Sequence, residues 1–360
     1  MQVDATTLRD LDILSSSVSR GSTVFALLDH TRTNAGQEAL RQSLAHPNQA
    51  MDAIRDLQLA HRVLARESNT YRAALNHADT DAVEALLNSK WYLPDHRPVR
   101  QLLDLVLHPL RFLLYRRDVA NSQFRMAVFL NGIADLGELL RSSESSTLRH
   151  RGNTLLGLLS TLDIQTLGVL CGRRSPIVQM RFDRLARLTA KGTLQELVAL
   201  VASVEAMWSM AFAAADLQWS YPEPSDRFRV EGLCHPLLRD QGAHNNLDLD
   251  PRTRVCIITG PNMAGKSTFI KAVGIALLLA HAGCGVPARS MEFQPMAGIF
   301  AAIQVADDLR RGESLYLAEL RRVKSLAMLL QQQSAIAILD ELFRGTNILD
   351  ANDATVAVLS

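Results

Sequence analysis

The sequence predicts an α plus α/β protein, in which a mostly helical region is followed by a domain with a mostly parallel sheet. Residues from about 8 to 220 are rich in Leu, Ala and Arg and contain few β-branched runs, as helices do. Two prolines in the segment 221–226 interrupt that pattern. Beyond the break, short apolar runs alternate with helical ones, which is typical of a parallel sheet covered by helices. We therefore expect a helical domain over residues 1–224 and an α/β domain over residues 225–360.

The helical region divides into several helices. Apolar residues recur at helical spacing at Leu40, Leu44, Ile54, Leu57 and Leu64. Asp52 is placed to cap the helix that follows it. Prolines break the pattern at 91–100, and a Ser-rich stretch interrupts it at 142–147. Residues 193–217 form a long, nearly uninterrupted helical pattern.

The α/β region shows four strand-like runs, at residues 228–231, 255–259, 299–303 and 335–339. The run at 255–259 is apolar and β-branched, as a buried parallel strand is. Helices are expected at about 267–282 and 314–333. In the second of these, one apolar face is formed by Tyr316, Leu320, Val323, Ala327 and Leu330.

Composition and charge narrow the function classes. The chain has 360 residues, is 48% hydrophobic and 21% charged, and carries a net charge of +1, so no global field attracts nucleic acid or an anionic membrane. None of the four cysteines forms a C-x-x-C pair, which gives zinc and thioredoxin-like chemistry no support, and we expect them to be small buried residues. The N-terminus lacks the regions of a signal peptide. The apolar stretches look too short or interrupted to span a bilayer, so we expect a cytoplasmic protein without a membrane partner.

A glycine-rich loop between a predicted strand and a predicted helix is the strongest chemical signal. It has the pattern G-x-x-x-x-G-K-S, whose backbone N–H groups and helix N-terminus cradle phosphate oxygens. Lys266 is expected to reach the outer phosphates of ATP and Ser267 to bind Mg²⁺. The candidate ATP-binding residues of the loop are Gly260, Pro261, Asn262, Met263, Ala264, Gly265, Lys266, Ser267 and Thr268.

Two carboxylates end the predicted strand at 335–339. Asp340 stands where a second Mg²⁺ contact is expected, and Glu341 where a general base orients the attacking water. The alternative is a strand that ends in two solvated acids.

Ser314 follows Gly312 at the start of the last predicted helix. It is either the N-cap of an amphipathic helix or a contact to the γ-phosphate of ATP bound by another subunit.

The order of these motifs resembles that of the MutS family of DNA mismatch-repair ATPases. The motifs of the α/β region that carry the resemblance are Thr259-Gly-Pro-Asn-Met-Ala-Gly-Lys-Ser-Thr268, Val286-Pro-Ala288, Asp307-Asp-Leu309, Gly312-x-Ser314, Glu319 and Leu339-Asp-Glu-Leu-Phe-Arg-Gly-Thr346. His235-Pro-Leu237 with Asn246 resembles the entry to the ATPase domain of that family. Near the N-terminus, Leu27-Leu-Asp29-His-Thr31-Arg-Thr33-Asn-Ala-Gly36 resembles the start of its helical core, or lever, domain.

The resemblance implies a helical lever domain followed by an ABC-related P-loop ATPase domain that works as a homodimer. One subunit supplies the loop, Asp340 and Glu341, and the other supplies Ser314 as a γ-phosphate contact in trans. ATP binding closes the pair, and the lever helices pass that change to bound DNA. Mg²⁺-dependent ATP hydrolysis would then be coupled to DNA binding in mismatch repair or a related recombination or branched-DNA pathway, with a downstream repair factor as a possible partner.

Several positions depart from the family pattern. No Phe-x-Glu, the wedge of members that read mismatches, occurs in the sequence, so we expect no mismatch reading by this chain. The helical region looks too short for a full DNA clamp, and the ATPase domain looks truncated at its C-terminus. Ala264 replaces a frequent Gly and fits if its φ is negative. The aromatic that stacks on adenine is missing, and His244 is either its replacement or a solvent-exposed loop residue.

Two other readings remain open. The first is a nucleotide-switched scaffold that uses ATP to dimerise and binds no DNA. The second is another ABC-related ATPase, such as an SMC-type or transporter subunit, against which the lack of long heptad arms and of a transporter signature speaks. The basic residues of the helical region face either DNA phosphates or solvent; they include Arg111, Arg116, Arg117, Arg149, Arg151, Arg173 and Arg174.

Overall fold

The computed structural model describes residues 1–15, 22–89, 109–162, 175–238, 242–250, 252–253, 255–261, 263–303, 315–343 and 347–359. The helices within these ranges are α1 (Ala5–Asp10), α2 (Val24–Leu28), α3 (Asn34–Ala45), α4 (Met51–Arg66), α5 (Ser68–His77), α6 (Thr80–Leu87), α7 (Pro109–Arg141), α8 (Ser146–Thr161), α9 (Pro176–Arg184), α10 (Lys191–Asp216), α11 (Lys266–His281), α12 (Leu315–Gln332) and α13 (Ile348–Leu359). A π-helical turn, Leu185–Thr189, joins α9 to α10. The strands are β1 (Gln2–Val3), β2 (Glu223–Pro224), β3 (Phe228–Leu233), β4 (Asn245–Leu249), β5 (Ser290–Phe293), β6 (Gly298–Ala302) and β7 (Ala335–Leu339).

The chain forms two compact units that do not follow the boundary predicted at residue 224. The sheet unit contains Met1–Asp29, Arg41–His61 and Met210–Ser360, whereas the helical unit contains His30–Leu40 and Arg62–Ser209. The first residues of the chain therefore belong with the sheets. Sequence position alone does not reveal this because strand pairing joins segments far apart in the chain.

The sheet unit holds two sheets. Three strands form a parallel sheet in the order β1-β6-β7, and β6 and β7 pair in register from Gly298 with Ala335 to Ala302 with Leu339. Four strands form a mixed sheet in the order β2-β5-β3-β4, in which β3 runs antiparallel to both neighbours. Helices α11 and α12 both pack against β6 and β7. The parallel, helix-covered sheet agrees with the α/β architecture expected from the alternating pattern.

Most predicted elements of the sheet unit are confirmed. The strands at 228–231, 299–303 and 335–339 and the helices at 267–282 and 314–333 correspond to β3, β6, β7, α11 and α12 within two residues at each end. The apolar face predicted for α12 is wrong in part, because Leu320 is 38% and Leu330 49% exposed while Leu326 is buried. The short strands β1, β2, β4 and β5 were not predicted from the sequence, because none has a long apolar run.

The buried strand predicted at 255–259 is wrong. These residues pair with no strand among those the structure describes, and Val255, Ile257 and Ile258 are 47%, 72% and 36% exposed. Without a neighbouring strand, the apolar side chains have no layer to pack against. Cys256 is consequently exposed instead of buried. Cys234 is half-buried, whereas Cys284 is buried as expected; Cys171 lies outside the described residues.

In the helical unit, α5, α6, α8 and α9 pack against the long helix α7. The predicted lever motif forms the N-terminus of α3. There, Thr33 Oγ1 accepts the Gly36 N–H at 3.0 Å, and Glu205 on α10 accepts the N–H groups of Arg32 and Thr33 at 2.7 and 3.3 Å. A Cβ on Gly36 would lie 2.2 Å from Glu205 Oε2, so a larger residue at this position would force the carboxylate away from the N–H groups that it accepts.

The expectation that every apolar stretch is too short or interrupted to span a bilayer is wrong for α10. By length and composition it is long and apolar enough to cross a membrane. However, 78% of its most apolar stretch is buried inside the protein, as in a core helix. The hydropathy of this helix is therefore weak support for a membrane span.

Candidate nucleotide-binding site

The glycine-rich loop leads directly into α11. Gly265 is the N-cap of the helix and has φ +88°, a left-handed conformation that glycine adopts without strain. Met263 also has a positive φ, +66°, and its side chain is fully exposed. Ala264 does not have a positive φ, which is the condition under which alanine fits this position. Asn262 lies outside the described residues.

Lys266, the first residue of α11, folds back over the loop. Its Nζ donates hydrogen bonds to the carbonyl oxygens of Gly260 and Pro261, at 2.7 and 3.0 Å. The exposed Ser267 and the half-buried Thr268 follow in the first turn of the helix. A cation and the N–H groups of a helix N-terminus therefore stand together at one loop, an arrangement suited to an anion.

The two predicted carboxylates lie where β7 ends. The Asp340 N–H donates to the Ala302 carbonyl at 3.0 Å, which continues the ladder between β6 and β7, and its side chain is half-buried. Glu341 is exposed and has φ +44°. Phe343 is fully buried with φ +63°, and its ring packs 5.8 Å from that of Tyr316 on α12. Two left-handed residues in three positions make this a constrained turn, as is common beside functional groups.

Packing connects α11 to the strand that carries these carboxylates. A Cβ on Gly274 would lie 2.7 Å from Ile338 Cδ1, so the helix approaches β7 closely. The helix that starts at the loop and the strand that ends immediately before Asp340 thus belong to one packed body within the sheet unit.

His244 and Ser314 complete the predicted set. His244 lies before β4, its side chain is exposed, and its Nδ1 is 3.1 Å from the Gly232 carbonyl oxygen. This contact fits the loop-residue reading of His244, and stacking on adenine stays a prediction. Ser314 lies outside the described residues, immediately before α12.

Several arginines that were candidates for phosphate contacts donate hydrogen bonds to other residues of the protein. Arg116 Nε donates to Gln179 at 3.1 Å, and Arg149 donates to the carbonyls of Ser143 and Glu144. Arg151 donates to Ser203, and burial lowers its pKa. Arg117 is exposed; the side chain of Arg111 and residues Arg173 and Arg174 lie outside the described set.

A nearly buried ion pair between α11 and the turn at Asp12 was missed by sequence reasoning. Lys271 Nζ lies 2.8 Å from Asp12 Oδ2, and the two side chains are only 12% and 11% exposed. Burial and the Lys271 charge lower the pKa of the nearby His235, whereas Asp12 raises it. The available signal was a lysine within the otherwise apolar run that follows the loop.

Comparison with known proteins relates the chain to one family. Residues 256–360 match MutS domain V. The DNA mismatch repair protein MutS of Chlorobium phaeobacteroides is 35% identical over 188 residues, which are 49% of this chain and 21% of that protein. The proteins of the same name from Azorhizobium caulinodans and Thermus thermophilus are 32% identical over 250 residues and 31% over 188, covering 62% and 52% of this chain. The chain spans only 21–26% of the length of these relatives.

Proposed function

We propose that this chain, which belongs to the MutS family, binds ATP at the loop 260–268 and hydrolyses it in the presence of Mg²⁺. The observation that carries the proposal is the start of α11. Gly265 turns the chain into the helix with φ +88°, and the Lys266 ammonium lies over the loop within 2.7 Å of the Gly260 carbonyl. In this position the ammonium is ready to exchange carbonyl oxygens for phosphate oxygens.

The residues of the site suit distinct roles. Backbone N–H groups of the loop and Lys266 would bind the phosphates. The Ser267 hydroxyl and the Asp340 carboxylate would hold Mg²⁺, which supplies neutralising charge to the phosphate oxygens. Glu341, exposed at the end of β7, would orient and deprotonate the attacking water.

We further propose that the site is completed by a second copy of the chain, whose Ser314 contacts the γ-phosphate. ATP binding would then favour a homodimer and alter DNA binding by the helical unit. The relatives are named as DNA mismatch repair proteins, which supports a role in repair or a related recombination or branched-DNA pathway. We also propose that the chain acts in the cytoplasm and has a downstream repair factor as its partner.

Phosphate release by the purified chain tests the ATPase proposal. We expect Lys266→Ala to abolish nucleotide binding and turnover, because the phosphate charge loses its fixed cation. Lys324→Ala is a matched control, since Lys324 is an exposed lysine on α12, and it should keep wild-type activity. Equal ATP affinity in the Lys266 and Lys324 variants would refute the assignment of the loop.

DNA binding is tested separately by a filter-binding titration with homoduplex, mismatched and branched DNA, at a stated salt concentration. Binding that changes when ATP is added supports coupling between nucleotide and DNA. ATP-dependent dimerisation without binding to any of the three DNAs would favour the nucleotide-switched scaffold instead.

A further inference from the structure

Residues 4–13, which we call the strap, contact three elements that surround the candidate site. The first is the end of β6. The Thr7 hydroxyl accepts the Ala301 N–H at 2.9 Å, and Asp10 Oδ2 accepts the Ile303 N–H at 3.0 Å. Both strap side chains are fully buried. The strap therefore satisfies backbone donors at the edge of the sheet where β7 presents Asp340.

The second contact is with α12, the helix that directly follows Ser314. The Arg322 guanidinium donates to the carboxylate of Asp4 and to the hydroxyl of Thr7, and also to the Ala301 carbonyl oxygen. It lies 3.7 Å over the Phe300 ring. One arginine thus joins α12, the strap and β6.

The third contact is with α11. Asp12, in a turn with φ +51°, forms the ion pair with Lys271 at 2.8 Å. One turn further along the helix, a Cβ on Gly274 would lie 2.7 Å from Leu11 Cδ2. The strap therefore meets α11 both by a charge pair and by close packing.

The position of Lys271 matters for the loop. It lies five residues after Lys266, about 7.5 Å along the helix axis at 1.5 Å per residue. A rotation or slide of α11 at Lys271 would displace Lys266 and Ser267 by a similar amount. Buried ion pairs contribute little net stability, because the desolvation of both charges offsets their attraction, and their best-attested use is to fix register.

We propose that the strap positions the nucleotide loop, with Asp12 acting through Lys271 to fix the rotation and depth of α11. This inference rests on the proposed ATP site. Asp12 touches neither substrate nor metal in this account and is a positioning residue. ATP affinity then depends on a contact between the beginning of the chain and the helix that carries the loop.

The test compares variants of the full chain by fluorescence titration with an ATP analogue and by hydrogen exchange of the segment 260–270 without nucleotide. We expect Asp12→Asn and Lys271→Met each to weaken ATP binding by roughly tenfold and to speed exchange of the loop. Their combination should weaken binding no more than either alone, as expected for two residues in contact. Asp12→Glu, which keeps the charge, should restore most of the affinity.

Arg227→Met is the matched control. It breaks an exposed bidentate pair with Asp248 in the same unit, at 2.6 and 2.8 Å. It should leave both readouts at wild-type values. All titrations are made well below the unfolding temperature of each variant.

The outcomes separate the two proposals. A wild-type chain that fails to bind ATP refutes the proposed function, while faster loop exchange in Asp12→Asn still supports the strap. If Asp12→Asn leaves ATP affinity and loop exchange unchanged, or alters them no more than Arg227→Met does, the positioning role is wrong. If Asp12→Asn does not fold, Lys271→Met breaks the same ion pair from the other side. Loop exchange and ATP affinity at wild-type values in Lys271→Met would then overturn the proposal.

Discussion

Substitution of Gly265 by alanine isolates the contribution of one backbone angle to nucleotide binding. A Cβ at this position would meet no atom within 4 Å, so the substitution creates no clash. The only cost is conformational, because the residue has φ +88°. Gly260→Ala is the matched control within the same motif: it has no positive φ, and its Cβ would make ordinary contacts at 3.9 and 4.0 Å.

The expected magnitude follows from the cost of a left-handed residue. An L-amino acid other than glycine loses about 1–2 kcal/mol in that region. The free loop of Gly265→Ala can relax to a negative φ, and the cost then appears when phosphate binding requires the N–H groups to return. At about 1.4 kcal/mol per tenfold change in affinity, ATP binding should weaken roughly 5- to 30-fold. Gly260→Ala should change the affinity by about twofold or less.

Equilibrium titration with a fluorescent ATP analogue measures both variants against the wild type under identical Mg²⁺ and salt concentrations. Circular dichroism and thermal unfolding establish that each variant is folded. Equal affinities for Gly265→Ala and Gly260→Ala would refute the reasoning, because the loop conformation would then not be the one that binds phosphate.

Other predictions test the base, the lever motif and a buried histidine. Glu341→Gln should leave ATP binding intact and slow steady-state hydrolysis by about 10²-fold or more; unchanged turnover would exclude it as the base. Gly36→Ala should cost about 1–3 kcal/mol in denaturant unfolding, because Glu205 must leave its backbone donors. Gly192→Ala, with no neighbour within 4 Å of its Cβ, should instead raise stability by about 0.5–1 kcal/mol. A Gly36→Ala variant more stable than Gly192→Ala would contradict the close contact between Gly36 and Glu205. Burial lowers the pKa of His281 below its ordinary 6.5. The contribution of the neutral imidazole to the free energy of unfolding should therefore be complete above pH 6.5 and should be lost as the pH falls below 6.5. The slope of unfolding free energy against pH in that range should be smaller in His281→Gln than in the wild type. An unchanged slope would show that other groups cause the pH dependence.

The elements of the sheet unit that were predictable are those with a strong local signal. Helix α11 follows a loop whose glycines and lysine mark its start, and β7 is a run of five apolar residues, Ala335–Leu339. Periodicity and turn residues act within a few positions, so the sequence contains their whole signal. The same holds for α10, whose Ala- and Leu-rich run was recognised within two residues of its observed ends.

Long-range pairing explains what sequence reasoning missed. The run 255–259 has the composition of a buried strand, yet burial depends on a neighbouring strand that composition does not specify. Likewise, β1 is only Gln2–Val3 and becomes a strand because it pairs with Gly298 and Ile299 of β6. Assignment of residues 1–29 to the sheet unit follows from such pairings.

In the candidate site, too, residues in local motifs were predictable and residues joined by long-range contacts were not. Lys266, Asp340 and Glu341 could be proposed from the sequence because each belongs to a local motif next to a predicted element. Lys271 and Asp12 were missed because their relation exists only after folding, across more than 250 positions of the chain. Glu205 was missed for the same reason, although the Thr33 and Gly36 motif that it serves was recognised.

Isothermal titration calorimetry of the full chain with ATP and Mg²⁺ shows whether residues 260–268 form a nucleotide site. We expect saturable binding at one site per chain that is lost in Lys266→Ala and retained in Lys324→Ala. Absence of binding heat in the folded wild-type protein, or equal binding by the Lys266 variant, would contradict the assignment of residues 260–268 as the nucleotide site.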